Sequence, residues 1–347
     1  MLLSRANYYF SYNLLIVFLS SLVFKAFPLH GDERPNFVVI LCDDLGYGDI
    51  SCYGNKIIKT PNIDRLASQG IRFTDYYSPS PVCSPSRVGL LTGRTPNRAG
   101  IYDWIPSGTQ FHLEEKEFTI PKMLKRVGYA TCMSGKWHCN GKFNKKSQPQ
   151  PGDFGFDHWF ATQNNAAPSH RNPKNFVRNG EGVGELEGFS CRIVAEEANR
   201  WIENHVIENP DQPFFTFIAF HEPHEPISSP ESMISNYPNA QKKGEALYYA
   251  NVENMDFAVG MIMDCLNRNK VAENTLVIFT SDNGPETLNR YGGAWRSHGS
   301  PGILRGMKLH THEAGIRVPG VMRWPLQIKA GQVSDEPVNS LDLMPTF

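Results

Sequence analysis

The segment PVCSPSRVGLLTGR, residues 81 to 94, sets Cys83 four places before Arg87 with Pro85 between them. A helix opening there would turn its positive dipole end toward Cys83, where anionic groups are favoured. Pro85 suits the first turn, and Arg87 follows one turn on along the same face. Four other places carry groups of matching chemistry. Asp43-Asp44 follows one apolar run, Asp282-Asn283-Gly284 another, Lys136-Trp137-His138 a third and His221-Glu-Pro-His224 a fourth. One Asp-Asn-Gly is ordinary turn chemistry, but four such endings are not explained by turns. Asp43, Asp44, Asp282 and the Asn283 amide make an all-oxygen ligand set, suited to Ca²⁺ or Mg²⁺ rather than zinc. Crowded carboxylates without a cation would repel or take up protons, so the set asks for a divalent ion. Arg87, Lys136, Lys308, His138 and His224 then supply what grips an anionic substrate and steadies charge as a bond breaks.

Such groups converge only if a scaffold brings them together. Asn36–Cys42 is a continuous apolar run of the kind buried on both faces of a parallel sheet. Further strands are expected at Tyr129–Ser134, Phe214–Phe220, Thr275–Ser281 and Val318–Arg323. Helices are expected at 60–68, with Thr60 as N-cap and Pro61 in the first turn, and at 120–127, 189–205 and 247–267. The alternation implies an α/β fold with a large, mostly parallel central sheet flanked by helices. In such sheets ligands bind beyond the carboxyl ends of the strands, where the polar endings fall.

The 347 residues are 40% hydrophobic and 20% charged with a formal net charge of -1, which argues against nucleic acid or an anionic membrane surface as partner. Arg5 precedes the apolar run Leu14–Phe24, too short for a comfortable membrane span and suited to a signal-peptide core. Residues 1–31 are therefore read as a signal peptide and 32–347 as one catalytic domain. An uncleaved membrane anchor is the alternative for the first segment. Seven cysteines leave at least one unpaired, and their spacing fits neither a zinc framework nor a dense disulfide scaffold. Cys42 and Cys132, in apolar runs, read as small core residues. No N-x-Ser/Thr acceptor occurs, so export to a bacterial periplasm or cell surface fits best.

Cys83-Ser84-Pro85-Ser86-Arg87 followed by Leu91-Thr92-Gly93-Arg94 resembles the signature of type I sulfatases of the alkaline-phosphatase-like superfamily. The resemblance extends over Pro35–Gly46, Thr60–Asp64, Gly135–His138, Gly155–Asp157, Pro213–His224, Ser281–Gly284 and Arg305–Lys308 with Glu313. It is nearest to the arylsulfatase A and N-acetylgalactosamine-6-sulfatase branch. It implies that a formylglycine-generating enzyme oxidises Cys83 to formylglycine. One hydroxyl of its geminal diol attacks sulfur, and the second lets the sulfated intermediate collapse. It further implies Asp43, Asp44, Asp282, Asn283 and residue 83 as ligands of one calcium ion. Arg87 would steady the diol, Lys136 and Lys308 would hold sulfate oxygens, and His138 would assist the diol. His224, rather than His221, would lie near the leaving oxygen, and Asn165 would contact substrate.

Two departures stand out. Cys139-Asn140 replaces the family's Leu-Gly, altering the pocket wall, and His310-Thr-His312-Glu-Ala brings imidazoles that could touch substrate. Relatives continue past residue 347 into a smaller antiparallel subdomain, so the chain reads as truncated. The resulting expectation is hydrolysis of an aryl or carbohydrate sulfate, a small molecule or a glycan. The alternatives are a phosphonate or phosphodiester hydrolase of the same superfamily, or a non-catalytic fragment that binds sulfated glycan. Selectivity is assigned to the loops 162–188 and 291–304.

Overall fold

A computed structural model describes residues 34–347, so the segment read as a signal peptide lies outside the described residues. Among the described residues no helix is long and apolar enough to cross a membrane. The strands are β1 (Asn36–Asp43), β2 (Ile71–Tyr77), β3 (Ala130–Lys136), β4 (His158–Thr162), β5 (Val177–Arg178), β6 (Glu181–Gly182), β7 (Phe214–Pro223), β8 (Thr275–Ser281), β9 (Arg317–Arg323), β10 (Gln332–Ser334) and β11 (Val338–Asn339). They form one sheet in the order β10-β2-β9-β8-β1-β7-β3-β4-β5-β6, with β11 also on β2. Neighbours from β8 to β4 are all parallel, whereas β9 runs antiparallel to both β8 and β2. The α/β class and the mostly parallel centre are as the alternation implied.

Helices α1 (Pro61–Ser68), α2 (Cys83–Thr92), α3 (Ile120–Arg126), α4 (Ser190–Glu208) and α5 (Glu245–Arg268) cover both faces. Because side chains alternate along a strand, β1 divides between two cores. Val38, Ile40 and Cys42 pack with residues of α1, α4 and α5, while Phe37, Val39 and Leu41 pack with residues of α2 and α3. This is why β1 reads as unbroken apolar rather than alternating. All seven cysteines are free, and Cys42 and Cys132 are core residues as expected. Thr60 stands at the N-cap of α1 but does not cap it; its hydroxyl accepts from the Ser51 N–H at 2.9 Å instead.

β2 and β4 carry no continuous apolar run and were not anticipated; in β2 only Tyr76 is buried. Glu197 of α4 ties this side of the sheet together, accepting from Arg178 Nε and Nη2 at 2.7 Å each and lying 3.0 Å from His158 Nε2. Burial opposes ionisation of Glu197, but the bonds from Arg178 and His158 prevail and hold its pKa down to about 2. A depressed carboxylate stabilises the fold above its unfolded pKa and loses that contribution as pH falls through the folded value. Glu197→Gln is therefore expected to cost about 1–2 kcal/mol at pH 7, a figure discounted because Arg178 is partly exposed. Urea unfolding should show the difference from wild type shrinking between pH 4.5 and pH 2; a constant difference would contradict this origin.

Candidate active site

The polar endings meet because β8, β1, β7 and β3 are adjacent and parallel, so their carboxyl ends share one edge. Register breaks between Leu41 and Asp43 against β7, a local irregularity of the kind that re-aims side chains at strand ends. β3 runs two residues further than expected and includes Lys136, while β7 extends to Pro223, next to His224. Gly135 adopts φ 114°, and a Cβ there would lie 1.9 Å from the Ala219 carbonyl, so only glycine lets β3 deliver Lys136 against β7. Asp44 (φ 66°), His138 (φ 56°) and Leu309 (φ 71°) hold left-handed backbone, costly for non-glycine residues and frequent at functional sites.

α2 is buried from end to end, with Cys83 as its first residue and Val82 at the N-cap. The loop carrying Lys308 is fastened on both sides: Lys308 N–H donates to Pro285 O and Leu309 N–H to Pro81 O, both at 2.9 Å. Thus the residue after Asn283-Gly284 and the residue before Val82 both fix Lys308.

Beneath Cys83 lies a network of charge. Arg87, fully buried, donates from Nε to Asp282 Oδ2 at 2.9 Å and from Nη1 to Lys136 O at 2.8 Å. Its Nη2 lies 2.8 Å from Asp282 Oδ2 and 3.8 Å from Asp43 Oδ1. Lys136 Nζ donates to Asp43 Oδ2 at 2.7 Å, and Lys308 Nζ reaches both Asp44 oxygens at 2.6 and 2.8 Å. Asn283 Nδ2 donates to Asp44 Oδ1 at 2.7 Å. Burial opposes ionisation of Asp43, but Lys136, His224, Arg87 and Lys308 hold it well below the usual carboxylate range. Asp44 is pushed up to about 6 and Asp282 to about 7, both chiefly by burial. Burial also lifts the Cys83 thiol to about 12 against the pull of Lys136 and Lys308.

Three carboxylates thus face three cationic side chains, so charge balance alone does not demand an ion, contrary to the argument from sequence. The donor geometry gives the better reason. Asp43 Oδ1 and Asn283 Oδ1 are buried with no hydrogen-bond partner. One ligand atom each from Asp43, Asp44, Cys83 and His224 lies within 4.8 Å of the others. Unpartnered buried oxygens beside two carboxylates fit a hard cation, and Cys83 Sγ stands where an oxygen of an oxidised residue 83 would be. Asp282 is not in this gathering: its Oδ2 takes both contacts from Arg87, and its Oδ1 accepts from the Asp44 N–H at 3.3 Å.

Above the network opens a cavity of about 590 Å³ lined in part by Cys83, His138, His224 and Lys308. His224 Nδ1 donates to Glu225 O at 2.6 Å, which fixes the ring with Nε2 3.6 Å from Asp44 Oδ2. Burial, with Lys308, lowers His224 to about 3, so it is neutral near pH 7. His138 Nε2 donates to Ile105 O at 3.2 Å and leaves Nδ1 buried without a partner. His221, fully buried, is bonded to Thr162 Oγ1 at 2.8 Å and is not among the residues lining the cavity.

Arg87 and Lys136 are not among the cavity-lining residues; both are fully buried and paired with Asp282 and Asp43, and the charge of Lys136 is felt at Cys83. Cys139 and Asn140 are buried off the wall, and His310 and His312 are exposed, the segment contributing Lys308 and Leu309 instead. The loops 162–188 and 291–304 do reach the cavity, through Asn164, Asn165, Tyr291 and Arg296. Asp103, Trp104 and Arg290 also line it and were missed. An indole between Gly100 and the turn residues Pro106 and Gly108 was the available signal for Trp104.

A family model described as sulfatase matches residues 35–347. Human arylsulfatase A is 36% identical over 336 residues, covering 90% of this chain and 63% of the relative. Rat N-acetylgalactosamine-6-sulfatase is 34% identical over 339 residues, covering 90% of this chain and 61% of the relative. The chain therefore spans under two-thirds of the length of these two curated relatives. The solved structure of Ps i-CgsB in complex with k-i-k-neocarrahexaose superposes with TM-score 0.80 at 31% identity, covering 90% of this chain and 71% of that one.

Proposed function

Because the chain belongs to the sulfatase family, we propose that it hydrolyses sulfate esters in the cavity above Cys83, after residue 83 has been oxidised to formylglycine. The observation that carries the reading is the gathering of Asp43, Asp44, Cys83 and His224 ligand atoms at the cavity floor, beside oxygens with no other partner. Asp43, Asp44, Asp282 and Asn283 would hold a calcium ion together with residue 83. When present, the hydrated aldehyde supplies a nucleophilic oxygen, and the cation supplies charge that orients it and a sulfate oxygen.

The chain's own residues do the rest. Arg87 and Lys136 neutralise Asp282 and Asp43, so that added positive charge is felt in the cavity rather than absorbed by the acids. That polarity favours an anionic ester over a neutral one. Lys308 and His224, which line the cavity beside Cys83, are the groups within reach of the sulfate and its leaving oxygen. Nδ1 of His224 is committed to Glu225 O, so Nε2 is the atom available to carry a proton.

We further propose export, supported by the apolar run behind Arg5, and a formylglycine-generating enzyme as maturation partner, supported by Cys83-Ser84-Pro85-Ser86-Arg87. Paired assays with an aryl sulfate and an aryl phosphodiester test the reaction; dominant phosphodiester turnover would replace the sulfatase reading. The metal site is tested by stripping with a chelator and titrating Ca²⁺. Saturation at a hundred times Kd is expected to add about 2.7 kcal/mol of stability, raising Tm by about 4 °C. No rise with either Ca²⁺ or Mg²⁺ would remove the ion from the proposal.

A further inference from the structure

Resting on the reading that this cavity cleaves sulfate esters, we propose that Glu286, itself fixed by Arg290, is a positioning residue that holds the Lys308 ammonium for the sulfate group. Glu286 is 3% exposed and is not among the residues lining the cavity, whereas Lys308 lines it. Any part that Glu286 plays in the reaction therefore runs through a neighbour.

Glu286 follows Asp282-Asn283-Gly284-Pro285, on the turn beyond β8. Its Oε1 accepts from Arg290 Nε at 2.7 Å and from the Thr287 N–H at 2.8 Å, and its Oε2 accepts from Arg290 Nη2 at 2.6 Å. That two-point grip fixes the plane of the carboxylate. Oε2 then lies 3.7 Å from Lys308 Nζ. The backbone joins the same two places, since the Lys308 N–H donates to O of Pro285, the residue before Glu286. Burial favours the neutral acid, but the bonds from Arg290 and the charge of Lys308 hold the Glu286 pKa below its ordinary value, so the group is ionised near pH 7.

Lys308 thus has two carboxylate neighbours with different duties. Asp44, at 2.6 and 2.8 Å, is also a proposed ligand of the ion, and an oxygen turned toward a divalent cation has less to offer an ammonium. Glu286 stands outside the gathering of ligand atoms and keeps its charge for Lys308. A lysine head is a point charge on a flexible stem, so a second fixed carboxylate narrows where it can sit. The rival account makes Glu286 only the partner of Arg290 in an i,i+4 ion pair that closes the turn.

The test uses the full chain, produced with a formylglycine-generating enzyme and supplied with Ca²⁺, acting on 4-nitrophenyl sulfate. Glu286→Gln is expected to raise KM about tenfold and to lower kcat less than threefold, the split that marks lost ground-state grip. Lys308→Met supplies the second background. There, adding Glu286→Gln should change kcat/KM less than twofold, because the two residues serve one contact. Equal losses in both backgrounds, or a loss confined to kcat, would overturn the proposal in favour of the turn-closing role. Should Glu286→Gln not fold, Glu286→Asp, which keeps the charge and draws it back, is expected to raise KM about threefold, and an unchanged KM would overturn the proposal. If the wild type hydrolyses no ester, the hydrolase reading fails on its own account. Calorimetric binding of inorganic sulfate that weakens about tenfold in Glu286→Gln would then sustain the role of Glu286, and unchanged or undetectable binding would remove it.

Discussion

Cys83→Ala is expected to reduce sulfate release by at least ~10⁴-fold, the scale seen when a nucleophile is removed, while the protein stays folded. The side chain is 3% exposed at the head of α2, and it lines the cavity floor beside Asp43, Asp44 and His224. Alanine keeps the Cβ and removes one sulfur, so the cost in stability is about 1 kcal/mol and Tm should move by no more than about 3 °C. Neither Lys308 nor Asp282 needs the sulfur for its hydrogen bonds, so the charge network survives the substitution. Sulfate release and Tm measured side by side separate chemistry from folding. Mass spectrometry of the wild-type peptide spanning residue 83 shows whether oxidation has occurred. Retention of more than about 1% of wild-type turnover by the alanine variant would show that residue 83 is not the nucleophile.

How much of this was legible before the structure depends on which physical signal each residue carried. β1, β7 and β8 announced themselves because strands covered on both faces must be apolar throughout. The acids and bases at their ends were then found by looking one or two residues further. β2 and β4 escaped because neither is a continuous apolar run, and a mixed pattern over five to seven residues resembles a loop. The partners of the charges were also invisible. Nothing in the sequence says that Arg87 would spend its donors on Asp282 and the Lys136 carbonyl, nor that Lys136 would be paired with Asp43. Those depend on β1, β3 and β8 lying within one side-chain length of α2, a matter of tertiary packing. Trp104 and Arg290 reach the cavity from loops, where composition carries little geometric information.

Arg87→Met carries the largest expected loss of stability. Arg87 is fully buried; its Nε and Nη1 donate to the buried Asp282 carboxylate and Lys136 carbonyl, and its Nη2 pairs with Asp282 and lies 3.8 Å from Asp43. Methionine fills much of the aliphatic volume but leaves Asp282 without its cation, and removing one partner of a buried pair typically costs about 3–5 kcal/mol. The pH dependence gives the origin away. Asp282 is already lifted to about 7 by burial and by Asp43, with Arg87 opposing the rise. Without Arg87 its carboxyl rises further, so the folded variant binds a proton that the unfolded chain has released. Stability then falls as pH climbs from the unfolded carboxylate value toward the raised folded one. Urea unfolding in chelator should accordingly find the penalty relative to wild type growing as pH rises above about 7, where Asp282 ionises in the wild type before it does in the variant, and added Ca²⁺ should recover part of it by replacing the lost positive charge. If instead the variant unfolds like the wild type at pH 8, Arg87 is not the counter-charge of Asp282, and the electrostatic account of the cavity floor fails with it.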